Sequence, residues 1–355
     1  MNDLNSGRGS LRDLELIFII SSQRSGSSLL QHMLAGHPQI FTESEPWLLL
    51  PLVYSRRTKG IWAEYDSNDY RNGLVEPLEL FLSRIDGFKL YDESIRQFAM
   101  SIYARAVGGR SVRYFVDKTP RNYLIIDEIR RIFPNSKIIF LLRHPLAIFS
   151  SMLNSVDGDW SKLLESPGVR LDLIEAPRLI SNAMRGMDDP TVVHYEMLTC
   201  SPKTTMEILC KRLDLDFDVR TLRYDAPDET VWCDPTNLRR HNTPVNIYSD
   251  RWRKGLRGRN VLGLVRSYVN ALDKAWLSSY ELDKESLIKD LESLGAAGRS
   301  EKWDKRFSEW NAASLLSRKQ MRYEYIIETQ GYRAAFIAGA RQLRRWLPVA
   351  TSEER

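Results

Sequence analysis

The chain has 355 residues, 43% of them hydrophobic and 27% charged. That balance suits a soluble globular protein of one large domain or two, and it excludes disordered, collagen-like and coiled-coil chains. Lys plus Arg is 51 against 46 for Asp plus Glu, a net charge of +5 that is too small a surplus to imply nucleic acid. Cys200, Cys210 and Cys233 are too few and too scattered for a disulfide framework or a zinc site. Cys200 and Cys210 bracket an expected helix, where packed-core positions are predicted. The run Leu14 to Ile20 lacks the basic flank and cleavage site of a signal peptide and is too short to cross a bilayer. The expectation is a reduced, cytoplasmic protein.

In chain order, Leu16–Ile20 is apolar on both faces and predicts a buried parallel strand. Ser27 to Ala35 predicts a helix. Residues 46–110, rich in Trp, Tyr and Leu, predict a helical insertion beside the sheet. Tyr114 to Val116 predicts a second strand, and Tyr123 to Phe133 a helix with Leu124, Ile125, Ile129 and Ile132 at helical spacings. Lys137 to Leu142 is again apolar on both faces, and Pro145 falls in the first turn of the helix behind it, where a missing N–H costs least. Thr191 to Tyr195 predicts a fourth strand and Lys203 to Leu213 a helix. Strands alternating with helices predict an α/β fold built on a mostly parallel sheet. Residues 1–283 read as this domain and residues 284–355 as a charged helical extension. In the latter, Tyr332 to Leu347 puts Phe336, Ala340, Leu343 and Leu347 on one face, suited to packing, self-association or a membrane surface.

The first predicted strand runs into Ser22-Gln23-Arg24-Ser25-Gly26-Ser27-Ser28-Leu29-Leu30. A strand, a small-residue loop and a helix N-terminus make an anion site, because backbone N–H groups converge where the helix dipole is positive. Alternatively, the serines only cap the helix. The loop is not a Walker A motif, since Ser27 stands where the lysine is needed. Asp117, ending an apolar strand, can imitate a Walker B carboxylate, so ATP-dependent phosphotransfer is the alternative. A second anion site is predicted where the strand ending at Leu142 delivers Arg143-His144-Pro145, with Ser151 about two helical turns further on. Two phosphate grips at the carboxyl ends of parallel strands fit the crevice where open α/β sheets bind ligands.

These segments together resemble the sulfotransferases that use 3′-phosphoadenylyl sulfate (PAPS), in the branch of the tyrosylprotein sulfotransferases and their bacterial relatives. The loop Ser22–Leu30 is similar to their 5′-phosphosulfate loop, and Leu142-Arg143-His144-Pro145 with Ser151 to their 3′-phosphate site. Phe133-Pro134-Asn135-Ser136-Lys137 and Val193-His194-Tyr195-Glu196 resemble further recurring segments. The resemblance implies a P-loop-like fold, PAPS as cosubstrate, PAP as product and no metal. It implies that Arg24, Ser25, Gly26, Ser27, Ser28, Leu29, Arg143, Ser151 and Tyr195 hold the nucleotide, with Arg251 joining them if one gap is allowed. It implies that Lys118 stabilises the bridging oxygen, assisted by Arg24. The alternative for Lys118 is a surface lysine paired with Asp117.

His37-Pro38-Gln39-Ile40-Phe41-Thr42-Glu43-Ser44-Glu45-Pro46 resembles the segment that carries the catalytic glutamate. Glu45 falls on the matching position, with Glu43 the competitor. His37 and His32, candidate bases by comparison with the cytosolic branch, are expected to cap or pack. Asn237 to Asn246, with Arg239, Arg240 and Pro244-Val245-Asn246, resembles a loop that folds over the nucleotide. Asn237 departs from the serine of the branch. Arg253-Lys254-Gly255 echoes a motif of the cytosolic enzymes. The expected function is sulfuryl transfer to a hydroxyl, on a glycan or small metabolite rather than a peptide tyrosine. A non-catalytic PAP-binding module is a further alternative. Trp47, Tyr54, Trp62, Tyr65 and Tyr70 are candidates for a sugar-stacking cleft.

Overall fold

A computed structural model of the protein describes residues 14–54, 76–165, 167–223, 243–244 and 251–295. Five strands form one sheet: β1 (Glu15–Ser21), β2 (Ile40–Thr42), β3 (Tyr114–Asp117), β4 (Lys137–Leu142) and β5 (Thr191–His194). Their order is β2-β3-β1-β4-β5 and every pairing is parallel. Phe18 pairs with Asp117 on one side of β1 and with Ile138 on the other. The chain therefore lays β2 and β3 on one side of β1 and β4 and β5 on the other, which opens a crevice at the carboxyl end of β1.

The principal helices are α1 (Ser27–Ala35), α2 (Leu49–Tyr54), α3 (Glu76–Arg84), α4 (Phe88–Val107), α5 (Ile126–Ile132), α6 (Pro145–Asn154), α7 (Trp160–Glu165), α8 (Ala176–Arg185), α9 (Tyr195–Cys200), α10 (Pro202–Arg212), α11 (Arg259–Ala271), α12 (Lys274–Ser279) and α13 (Lys284–Glu292). Both faces of the sheet are covered, which is why its strands read as continuous apolar runs rather than as alternations. On one face Ile17, Ile19, Val116, Ile139, Leu141 and Val193 pack with Leu30, Met33 and Leu34 of α1 and Met206 and Leu209 of α10. On the other, Phe115 stacks on Tyr103 of α4 with centroids 4.6 Å apart, and Phe18 meets Phe133 at 5.6 Å.

The chain divides into two compact units, one of residues 1–148, 175–251 and 273–282, the other of residues 149–174, 252–272 and 283–355. The first holds the whole sheet. Within the second, Phe149 packs on Tyr268 with centroids 5.0 Å apart, and Arg253 pairs with Asp290 at 3.1 Å. A β-carbon on Gly255 would come within 2.3 Å of the Ser150 hydroxyl, so glycine lets the turn after Trp252 close on the helix that carries Ser150.

Several expectations need correction. The fourth strand stops at His194, whose partner Leu142 ends β4, and Tyr195 opens α9 instead. The predicted helix Tyr123–Phe133 is a 3-10 turn, Asn122–Ile125, followed by α5. The short edge strand β2 is an addition, as three residues carry too little periodicity to be seen. Cys210 is buried as expected, but Cys200, at the end of α9, is exposed.

Candidate functional site

Each of β1, β2, β3, β4 and β5 releases one piece of the site at its carboxyl end. The β1 loop enters α1 through Gly26, whose φ of 92° lies in the left-handed region. A β-carbon there would also meet the Tyr195 ring at 2.3 Å, so glycine is required twice over. No side chain caps α1, its first turn has no acidic residue, and its first helical hydrogen bond runs from Leu30 N–H to the Gly26 carbonyl. The N–H groups of Ser27, Ser28 and Leu29 thus face the end of the helix with no helical acceptor. The Leu29 side chain packs in the core, leaving the loop only its backbone. The serines do not form a side-chain cap, which removes the simple capping alternative.

β4 delivers Arg143 to the same loop. Its Nη1 donates to the Arg24 carbonyl at 2.7 Å, and its guanidinium lies 4.1 Å above the Tyr195 ring. Tyr195 is therefore sandwiched between Gly26 and Arg143. Burial pushes the Arg143 guanidinium below its ordinary pKa. Arg24, whose φ is 66°, is exposed by surface area, yet burial first and the like charge of Arg143 second push its guanidinium down as well. Two crowded cations beside an uncapped helix N-terminus make a built anion site. Its donors are not used up: the buried Ser25 hydroxyl and the buried Nε of Arg143 make no hydrogen bond. Such atoms cost free energy unless an anion satisfies them. A phosphorylated nucleotide fits this donor set. Ser151 lies on α6 in the second unit, and Arg251, exposed, ends a segment of the first.

β3 delivers Lys118. Its ammonium is buried, with 2% of the side chain exposed, and it pairs with Glu45 Oε1 at 2.7 Å and donates to the Ser28 hydroxyl at 3.2 Å. The surface lysine paired with Asp117 is thus overturned. Asp117 is fully buried and its oxygens accept from Tyr103 at 2.6 Å, Thr119 at 2.8 Å and Asn122 at 3.2 Å. Burial raises its pKa above the usual carboxylate range. Ser28, expected to face a phosphate, instead spends its oxygen on Lys118.

β2 delivers the acidic segment. Gln31 of α1 donates to the Thr42 hydroxyl and to the Glu43 carbonyl, both at 2.7 Å, and Thr42 donates to the Val116 carbonyl at 2.8 Å. Glu43 is an exposed residue, whereas the Glu45 side chain is only 7% exposed. Trp47 closes the group, its indole N–H donating to Glu45 Oε2 at 3.1 Å. His37 is excluded as a base: its Nε2 meets the Asp216 carbonyl at 3.0 Å and its Nδ1 accepts from Gln39 N–H at 3.1 Å. His32 sits half-buried on α1.

Trp62, Tyr65, Tyr70, Cys233, Asn237, Arg239, Arg240, Val245, Asn246 and the stretch Tyr332–Leu347 lie outside the described residues. Gln31, Thr42 and Thr119 complete the cluster. Nothing in their local sequence marks them, since each acts through a neighbour supplied by another strand.

The site thus joins an uncapped helix after β1, a second cation from β4 and a lysine–carboxylate pair from β3 and the segment after β2, all at the carboxyl ends of a parallel sheet, where open α/β sheets bind ligands. The model of the Sulfotransferase family matches residues 16–219, and the chain belongs to that family. It is 32% identical over 142 residues to nodulation protein NoeE of Sinorhizobium fredii, covering 39% of this chain and 30% of that protein. It is 22% identical over 228 residues to protein-tyrosine sulfotransferase 1 of Danio rerio, covering 60% of this chain and 57% of the relative. This chain therefore spans less than two thirds of either relative. Among solved structures, the sulfotransferase domain from the curacin biosynthetic pathway has a TM-score of 0.49 and 21% identity over 76% of this chain and 98% of that domain. Among the described residues no helix is long and apolar enough to cross a membrane.

Proposed function

We propose that this chain moves a sulfuryl group from PAPS to the hydroxyl of an acceptor. PAPS, when bound, supplies the sulfuryl group at sulfur and departs as PAP. The observation that carries the reading is the buried Lys118–Glu45 pair, 2.7 Å across, at the carboxyl edge of a sheet whose neighbouring loop gathers Arg24 and Arg143.

In this reading the N–H groups of Ser27, Ser28 and Leu29, the Ser25 hydroxyl and Arg24 hold the 5′-phosphosulfate. Arg143 takes the 3′-phosphate, with Arg251 as a further contact. Tyr195 shapes this grip through its contacts with Gly26 and Arg143. Lys118 Nζ neutralises charge that builds on the bridging oxygen, where a preorganised cation is worth most. Glu45 accepts the proton of the acceptor hydroxyl, so that the oxygen attacking sulfur is an incipient alkoxide. Position and charge carry the reaction, as in phosphoryl transfer. Phosphotransfer from ATP is the weaker reading, because Asp117 spends its oxygens on Tyr103, Thr119 and Asn122 rather than offering them to a crevice.

The acceptor we favour is a glycan or a small metabolite rather than a peptide tyrosine. The exposed indole of Trp47 beside Glu45 supports this, since such a face suits the apolar side of a ring. The test is transfer of radiolabelled sulfate from PAPS into fractionated cell extract. Wild type should label a glycan or small-molecule fraction, and Lys118→Ala and Glu45→Gln should not. Undiminished transfer by both variants overturns the mechanism, and label confined to protein overturns the acceptor class.

A further inference from the structure

Trp47 stands out because three unusual features coincide on it. It has a φ of 49°, left-handed backbone that a bulky side chain adopts only when its surroundings impose it. Its side chain is one of the large apolar groups left in contact with solvent, at 37% exposure. Its one polar atom is nevertheless engaged, with Nε1–H donating to Glu45 Oε2.

The imposing contacts run back into the core. Trp47 N–H donates to the Thr119 hydroxyl at 3.3 Å, and that hydroxyl donates to Asp117 Oδ1, whose other oxygen is held by Tyr103 of α4. Tyr103 and Asp117 are fully buried. A chain of hydrogen bonds thus leads from the middle of the sheet to an exposed indole, and it ends on one carboxylate. The other oxygen of that carboxylate belongs to Lys118. Both oxygens of Glu45 are therefore fixed from opposite partners, and its orientation is set without reference to any bound molecule.

We propose that Trp47 is the positioning residue of the reaction. Its left-handed backbone is the feature that aims the indole N–H at Glu45 Oε2 and so keeps Oε1 turned toward Lys118. A phenylalanine keeps an aromatic ring at this position but has no N–H to give. This inference rests on the role given to Glu45 above, but the contact itself exists whether or not the chain transfers sulfate.

The test has a spectroscopic arm on the protein without ligand and a turnover arm. Indole-15N-labelled protein gives signals from nine tryptophans, and the one absent from Trp47→Phe belongs to Trp47. That signal should move more than any other in Glu45→Gln and should move again in Thr119→Val, while the remaining indole signals hold their places. In the labelled-sulfate assay Trp47→Phe should lower kcat about 10-fold, the size expected for a carboxylate free to rotate out of line. Its affinity for PAP by calorimetry should stay that of wild type. A Trp47 signal indifferent to Glu45→Gln overturns the proposal, as does wild-type kcat in Trp47→Phe. If wild type transfers nothing, the functional reading fails, while the spectroscopic arm still decides whether Trp47 holds Glu45. Should Trp47→Phe fold poorly, the comparison of wild type with Glu45→Gln and Thr119→Val decides alone: one indole signal should respond to both, and the absence of any such signal overturns the proposal.

Discussion

The two ends of the site are built on opposite principles. Around Gly26, like charges are crowded together, the helix N-terminus has no side-chain cap, and a buried hydroxyl and a buried guanidinium nitrogen lack acceptors. Around Lys118, every group already has its partner: the ammonium has Glu45 and Ser28, and the carboxylate has Lys118 and Trp47. The first end is incomplete without an anion, so binding completes it. The second is complete by itself, so it acts only when an incoming substrate competes for one member of the pair. On the proposed function, affinity for the nucleotide therefore belongs to the β1 and β4 loops, and rate to the β2 and β3 loops.

Removing one member of the closed pair should do the most damage. Lys118→Ala should bring sulfate transfer down about 1,000-fold or more, the loss expected when a preorganised charge is removed. It also leaves Glu45 buried beside no cation, which should cost about 3–5 kcal/mol in denaturant unfolding. Adding Glu45→Gln to that variant should restore most of the stability and none of the activity. Glu45→Gln alone should lower transfer about 100-fold or more while calorimetry finds PAP affinity unchanged.

The open end should respond in the other way. Arg143→Met should weaken PAP binding about 10- to 100-fold, since a charge-assisted contact to phosphate is lost. The same change relieves the crowding with Arg24, so the melting temperature of the free protein should hold or rise. A fall in stability would break the contrast between the two ends. Gly26→Ala reads the same end through stability alone. The left-handed backbone costs about 1–2 kcal/mol for an L-residue, and the new methyl presses on the Tyr195 ring. Melting temperature should fall, and Tyr195→Ala in the same chain should recover the part due to the ring but not the part due to φ.

Much of this frame was legible in the chain. Leu16–Ile20 and Lys137–Leu142 announce buried strands because both faces of the sheet are covered. Arg24, Gly26, Lys118 and Arg143 follow directly from their places at strand ends. What stayed hidden depends on pairings between distant segments. Tyr195 sits where a strand should continue, but it opens α9, since β4 ends beside His194. Ser28 reads as a phosphate donor until Lys118, ninety positions later, is seen to occupy it. Asp117 reads as a partner for its neighbour Lys118, but successive residues along an extended chain face opposite ways and its carboxylate belongs to Tyr103. Trp47 suits an aromatic cleft by residue type, but its N–H contact with Glu45 stays hidden, because it needs a left-handed turn that no residue type there announces.

The most direct measurement is a crystal structure of the protein with PAP. The expected result is one nucleotide in the crevice at the end of β1, a phosphate on the N–H groups of Ser27 to Leu29 within reach of Lys118, and its other phosphate on Arg143. PAP seated elsewhere, or bound there with Arg143 and Lys118 making no contact to it, would contradict the division between a gripping end and a reacting end.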